Sequence, residues 1–376
     1  MHLAWKRHAL LAWSCGLALL VLAPVLSPGY VLHLDMVFVP QQSLLPWNLG
    51  IGGGLPRSVP QDAVVSLVAG PLPGQLLQKS ILLLTFILAG VGAGRLAGRT
   101  LTLQLPAAAL YLWSAYAASR LLMGHWGLLW AYALLPWVIL AATRARRTGG
   151  WAWVAVLCGI GALVPTGGVL LAVAAVPLAV GFGSAVSRAG RLLLTASVIV
   201  LNAPWWLPAL RSPVATVSDP VGLVVFGARA DGPGGVLLSV VGGGGVWNSL
   251  ATLGSRTTWF ATFGVIVIVT LAAIGWRRAR QKAPAEVVWL TVLGVSGTGV
   301  GVAVRCGRWA GLGAEPRGLS AGWRTSARRS EMDGVLGSAC RCVRTARCGA
   351  PYPSCTATAC GVHGRGAGHR ATGVPA

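Results

Sequence analysis

The sequence predicts an all-α polytopic bundle of about nine transmembrane helices, with the N-terminus on the cytoplasmic side. Three observations predict it. Of 376 residues, 55% are hydrophobic and 10% are charged, which is more apolar side chain than one soluble core buries. The apolar residues form solid runs, not the alternating ten-residue segments of an outer-membrane barrel. Up to residue 304 the basic residues sit in short clusters between those runs, as loop charges do. The net charge of +22 is therefore no argument for a nucleic-acid partner.

Lys6 and Arg7 precede the first apolar run, Ala9 to Leu26. The run is long and no A-x-A site follows it, so an uncleaved span is expected. A long loop, residues 28–78, comes next. The second span is expected near Ser80 to Gly94, where Gly90, Gly94 and Gly98 form a small-xxx-small face for close helix approach. No G-x-G-x-x-G register fits those glycines, which excludes a dinucleotide fingerprint. The third and fourth spans are expected at Leu101 to Ala118 and Trp126 to Ala142. Trp151 to Gly183 is too long for one span, and Pro165-Thr166-Gly167-Gly168 divides it into two short helices. Leu192 to Leu210 is the seventh span. Asn202, Pro204 and Pro208 near its end predict a bent helix opening into a cavity.

A second long loop, residues 211–258, holds Asp219, Arg229, Asp231 and the glycine run Gly242 to Gly245. That run reads as a flexible loop, because no Gly-Lys-Ser or Gly-Lys-Thr follows to make a phosphate nest. Trp259 to Trp276 is the eighth span, and a ninth runs from Glu286 to about Val304. With the N-terminus inside, thirteen basic residues fall in short inside segments and six in the longer outside ones. The positive-inside rule selects this orientation, that of a multi-pass cell-membrane protein. All four aspartates before residue 300, Asp35, Asp62, Asp219 and Asp231, then lie outside.

Domain 1–304 is thus the transmembrane unit, with outside loops 28–78 and 211–258. Residues 305–376 form an Arg/Gly/Cys-rich tail of different character. Six of the eight cysteines lie there, at spacings that match no common zinc pattern. Disorder or a shifted reading frame accounts for the composition. Thr325 to Gly334 can be encoded so that the neighbouring frame reads Leu-Leu-Arg-Asp-Gly-Gln-Lys-Trp-Met-Ala, which the DNA sequence would settle. The G-x-S-x-G match at Gly318 to Gly322 lacks the strand and helix that a nucleophile elbow needs.

The candidate chemistry starts from Asp35, a carboxylate inside the apolar stretch Val31 to Val39. Such a group beside a membrane needs a partner or a task. It reads either as facing a reaction cavity at the outer surface or as a solvated or salt-bridged loop residue. Asp62 is expected to cap the helix that begins near Ala63.

The run Arg120-Leu121-Leu122-Met123-Gly124-His125-Trp126-Gly127, with Tyr132 to Trp137, resembles a stretch of large actinobacterial membrane proteins of the GT-C glycosyltransferase type. The segment PGYVLHLDMVFVP resembles their first outside loop, and the shifted-frame Leu-Arg-Asp-Gly-Gln-Lys resembles a later segment. The resemblance covers residues 1 to 300 loosely, without the paired acidic motif of that class. It implies sugar transfer from a polyprenyl-phosphate donor to an envelope glycan or lipid acceptor, with Asp35 as the catalytic aspartate. Inverting transfer needs a carboxylate to take the acceptor proton and cations at the departing phosphate. Arg57, Arg120 and His125 are the candidates for the phosphate. Arg120 also reads as a snorkelling anchor, and His125-Trp126 as an interfacial belt pair. No cofactor is fixed by the sequence, and a divalent cation is compatible with it. The alternative readings are a transporter or flippase and a non-catalytic truncated membrane protein.

Overall fold

The computed structural model describes residues 2–305 except 53, 71, 214–221, 223 and 224. Asp219 and the tail beyond residue 305 lie outside the described residues. The described chain is all-helical. Its one β-type contact there is an isolated bridge between His33 and Met36.

Among the described residues, four helices are long and apolar enough to cross a membrane: α1 (His2–Leu22), α3 (Gly74–Ala97), α6 (Trp126–Thr148) and α12 (Trp259–Lys282). A fifth span forms if α9 (Arg188–Leu201) and α10 (Ala203–Arg211) count together across their 60° bend. Four or five such helices stand where the sequence predicted about nine spans. The remaining elements are α2 (Gln61–Ala69), α4 (Leu101–Leu112), α5 (Ala115–Leu122), α7 (Ala152–Gly161), α8 (Pro165–Val180), α11 (Gly235–Val241) and α13 (Pro284–Arg305).

The count differs for local reasons. The expected third span breaks at Ser114, whose hydroxyl accepts the Ala117 N–H at 3.1 Å and so caps α5. The same hydroxyl lies 3.1 Å from the Tyr132 hydroxyl on α6. What remains as α4 is about 18 Å long, well short of a bilayer core of about 30 Å. At the expected seventh span, Pro204 follows Asn202, where the chain turns. The Asn202 amide donates to the Val198 carbonyl at 2.8 Å and accepts from Trp205 Nε1 at 2.9 Å, satisfying groups freed at the bend. α3 begins at Gly74 rather than near Ser80 because its polar first turns are used by the preceding loop. Gln78 is buried there, donating to the Val31 carbonyl at 2.8 Å and accepting the Val31 N–H at 3.0 Å.

α6 is the central helix. Its Leu129 and Ala133 join a core with Ala18, Leu22, Leu82, Phe86 and Leu112 from α1, α3 and α4. Leu134, Val138 and Ala142 on its other face join Cys158, Leu171 and Leu194 from α7, α8 and α9. The i, i+4 spacing within each set makes two apolar stripes, so α6 is wrapped on both sides. Gly90 and Gly94 on α3 do allow close approach. A Cβ on Gly90 would lie 2.8 Å from Ser14 Oγ, and one on Gly94 would lie 2.7 Å from Leu10 Cδ1.

Basic residues collect at one end of the bundle. Arg146 donates to the Leu178 carbonyl at 3.3 Å and to Phe182, Arg191 Nε to Val186 at 2.9 Å, and Arg147 meets Glu286 at 3.3 Å. These contacts tie α6, α8, α9 and α13 together at that end. The loop before α2, the α5–α6 turn and the start of α8 share a cavity at the other end.

Candidate functional site

The first loop is held to the bundle at several points before it reaches Asp35. Gln78 fixes Val31 through both backbone groups. A tight turn follows, with Met36 N–H bonded to the His33 carbonyl at 2.9 Å. Met36 and Phe38 point inward and are buried, and Phe38 packs on Trp126 with ring centroids 5.6 Å apart. Asp35 lies next to Met36, so burying that anchor presents the carboxylate outward. Its own N–H donates to the Met123 carbonyl at 3.1 Å, which joins the first loop to the α5–α6 turn.

Gly124 makes that junction fit. Its φ of +78° favours glycine. A Cβ there would sit 2.1 Å from the Met36 nitrogen, a separation no packing adjustment relieves while the turn stays in place. Gly124→Ala is therefore expected to destabilise the fold by more than about 1 kcal/mol and to displace Asp35. Thermal unfolding in detergent and proteolysis of residues 30–40 would read both effects; an unchanged protein would show that the junction is loose.

The four residues singled out in the sequence, Asp35, Arg57, Arg120 and His125, all line one cavity of about 860 Å³. Three of them form a chain. His125 Nε2 lies 2.8 Å from Asp35 Oδ2, and His125 Nδ1 lies 3.3 Å from an Arg120 terminal nitrogen. A guanidinium has donors and no acceptor, so Nδ1 must accept. The Nε2–H tautomer then donates to Asp35. The Asp35 side chain is 70% exposed and His125 is 25% exposed. A contact in so open a place adds about 0–1 kcal/mol to stability, so its consequence is orientation of the carboxylate. Both ring nitrogens of His125 are engaged, which fits it to position Asp35 more than to grip a phosphate.

Arg120 also lies over the Tyr116 ring at 5.2 Å, and its Nε is buried without a hydrogen-bond partner among the described residues. Arg57 is exposed, and no carboxylate pairs with it among the described residues. Both residues line the cavity.

Asp62 is not the helix cap expected from the sequence. α2 starts at Gln61 after Pro60, and Asp62 lies inside its first turn. Its carboxylate lines the same cavity instead. Burial pushes it above its ordinary value of 3.8, while hydrogen bonds with Gln61 and Ser58 pull the other way. The folded chain thus keeps a proton that the unfolded chain has lost, so stability declines as pH rises from 3.8 through the raised value. Asp62→Asn is expected to raise the melting temperature at pH 7, with the advantage shrinking toward pH 4. A gap that stays constant with pH would put Asp62 in bulk solvent.

The glycine run has a structural use. Gly245 N–H donates to Asp231 Oδ2 at 2.9 Å, and Arg256 Nε meets the same oxygen at 3.1 Å. Gly242 to Gly245 therefore close around a buried ion pair and do not form a free nest. No three His, Cys, Asp or Glu side chains converge among the described residues. Sequence reasoning missed Gln78 and Gly124. A glycine directly after a helical run was the available signal for the second. No family model, no curated protein and no solved structure matches the chain.

Proposed function

We propose that the chain is an integral membrane transferase of the GT-C type, which moves a sugar from a polyprenyl-phosphate donor to an envelope glycan or lipid acceptor on the outer face. The observation that carries this reading is the exposed Asp35 carboxylate, oriented by His125 and Arg120 in a cavity that also receives Arg57. The acceptor hydroxyl oxygen attacks the anomeric carbon and its proton passes to Asp35. The bond from the anomeric carbon to the phosphate oxygen breaks, and the phosphate leaves with the electron pair. Arg57 and Arg120 stabilise that charge in place of water. His125 holds the carboxylate in line. The basic clusters at the opposite end of the bundle support placing the cavity outside.

The test is sugar transfer from radiolabelled polyprenyl-phosphate sugars in membranes containing the chain, against membranes without it. Labelled product above that background supports the reading. No product from any donor, together with movement of labelled lipid between leaflets, would replace it with a flippase.

A further inference from the structure

We propose that a separate apolar groove beside the cavity holds the first hydrocarbon segment of a lipid whose phosphate head lies at Arg57 and Arg120; the lipid's identity as a prenyl phosphate rests on the function proposed above. The groove lies among α2, α3, α6 and the α7–α8 connection and has a volume of about 170 Å³. Val64, Val68, Leu77, Ile81, Leu84 and Trp130 form its far walls. Apart from Gln61, its lining is glycine, aliphatic and aromatic residues.

Its position is what assigns an occupant. Gln61, Val65, Trp126, Gly127 and Val164 line both the groove and the polar cavity. The two therefore adjoin, one with charged residues in its lining and the other apolar but for Gln61. A free sugar phosphate would leave the apolar groove empty, and a free hydrocarbon would leave the charges of Arg57 and Arg120 without a counter-anion, although Arg120 already donates to His125. An amphiphile with an anionic head and one apolar chain fills both. An engineered cavity of roughly 150 Å³ takes one benzene, so the groove holds about six carbons, roughly one isoprene unit next to the head. Val68 and Leu84 are 48% and 49% exposed, so the groove has an open rim where a longer chain can leave.

A larger apolar groove, about 480 Å³, lies between α8, α9 and α10 against Trp205 and Trp206. It shares no lining residue with the polar cavity. Size would select that groove, whereas adjacency to the charged cavity selects the smaller one.

The experiment uses the full chain in phosphatidylcholine nanodiscs. The probe is a ten-carbon isoprenyl monophosphate with a photoreactive diazirine on its first isoprene unit. Label is expected on peptides covering residues 61–69, 77–84 and 126–130. Leu84→Trp and, independently, Val68→Trp place bulk in the groove from its exposed rim. Each is expected to weaken probe binding about tenfold or more, while competition by inorganic phosphate is unchanged. Label on α8 to α10, no binding by the parent chain, or undiminished binding in both folded variants would overturn the site. Sugar transfer is measured separately. Probe bound in this groove without transfer would remove the transferase reading and keep the lipid site; transfer with the label elsewhere would do the reverse.

Discussion

Asp35→Asn is expected to lower sugar transfer by about 10²–10⁴-fold with little change in donor affinity or thermal stability. The asparagine has nearly the same shape, and its carbonyl can still accept from His125 Nε2. Its backbone anchor is untouched, since Met123 binds the N–H and Met36 fills the core beside it. The exposed pair contributes about 0–1 kcal/mol, so the melting temperature should barely move. On the proposed mechanism, what the variant loses is the site for the acceptor proton. His125→Ala should cost less, because the carboxylate remains and only its orientation is released. A rate that survives Asp35→Asn would place the base elsewhere, and Asp62 is the other carboxylate that lines the cavity.

The sequence and the structure agree where composition or a local pattern decides the outcome. Solid apolar runs predict helices, and helices form at α1, α3, α6 and α12. Asp35, which the sequence left as either a cavity residue or a solvated or salt-bridged one, lines a cavity with Arg57, Arg120 and His125 and is also exposed and paired with His125. The disagreements come from contacts between distant residues. Ser114 caps the start of α5 with its hydroxyl opposite that of Tyr132, and hydropathy gives no sign of that partner. Gln78 looks like a polar residue before a span until Val31, 47 residues earlier, fills both ends of its amide. Asp62 sits beside an apolar run in a manner typical of a cap, yet Pro60 and Gln61 start the helix first. Gly242 to Gly245 read as flexible because their partners, Asp231 and Arg256, are separated from them in sequence.

That ion pair supports the second large effect. The side chains of Asp231 and Arg256 are 5% and 14% exposed. Arg256 also donates toward the carbonyls of Gly242 at 3.5 Å and Ser239 at 3.4 Å. Asp231 N–H donates to Ser239 Oγ at 2.9 Å, and a Cβ on Gly244 would lie 1.9 Å from Asp231 Oδ2. Arg256→Ala leaves the carboxylate buried without its counter-charge and is expected to destabilise this region by about 3–5 kcal/mol. The double variant Asp231→Asn, Arg256→Met removes both charges and should recover most of the loss, because a buried pair adds little over an uncharged replacement. Unfolding of the parent, Arg256→Ala and the double variant in detergent would measure this. An Arg256→Ala loss within about 0.5 kcal/mol would mean that water reaches the pair. The consequence extends beyond stability. Val246 and Ala251 of this loop pack on Met123, whose carbonyl holds the Asp35 N–H. Loosening the second loop therefore frees the α5–α6 turn that positions the first, and Arg256→Ala should reduce transfer as well, by less than Asp35→Asn because the carboxylate itself remains.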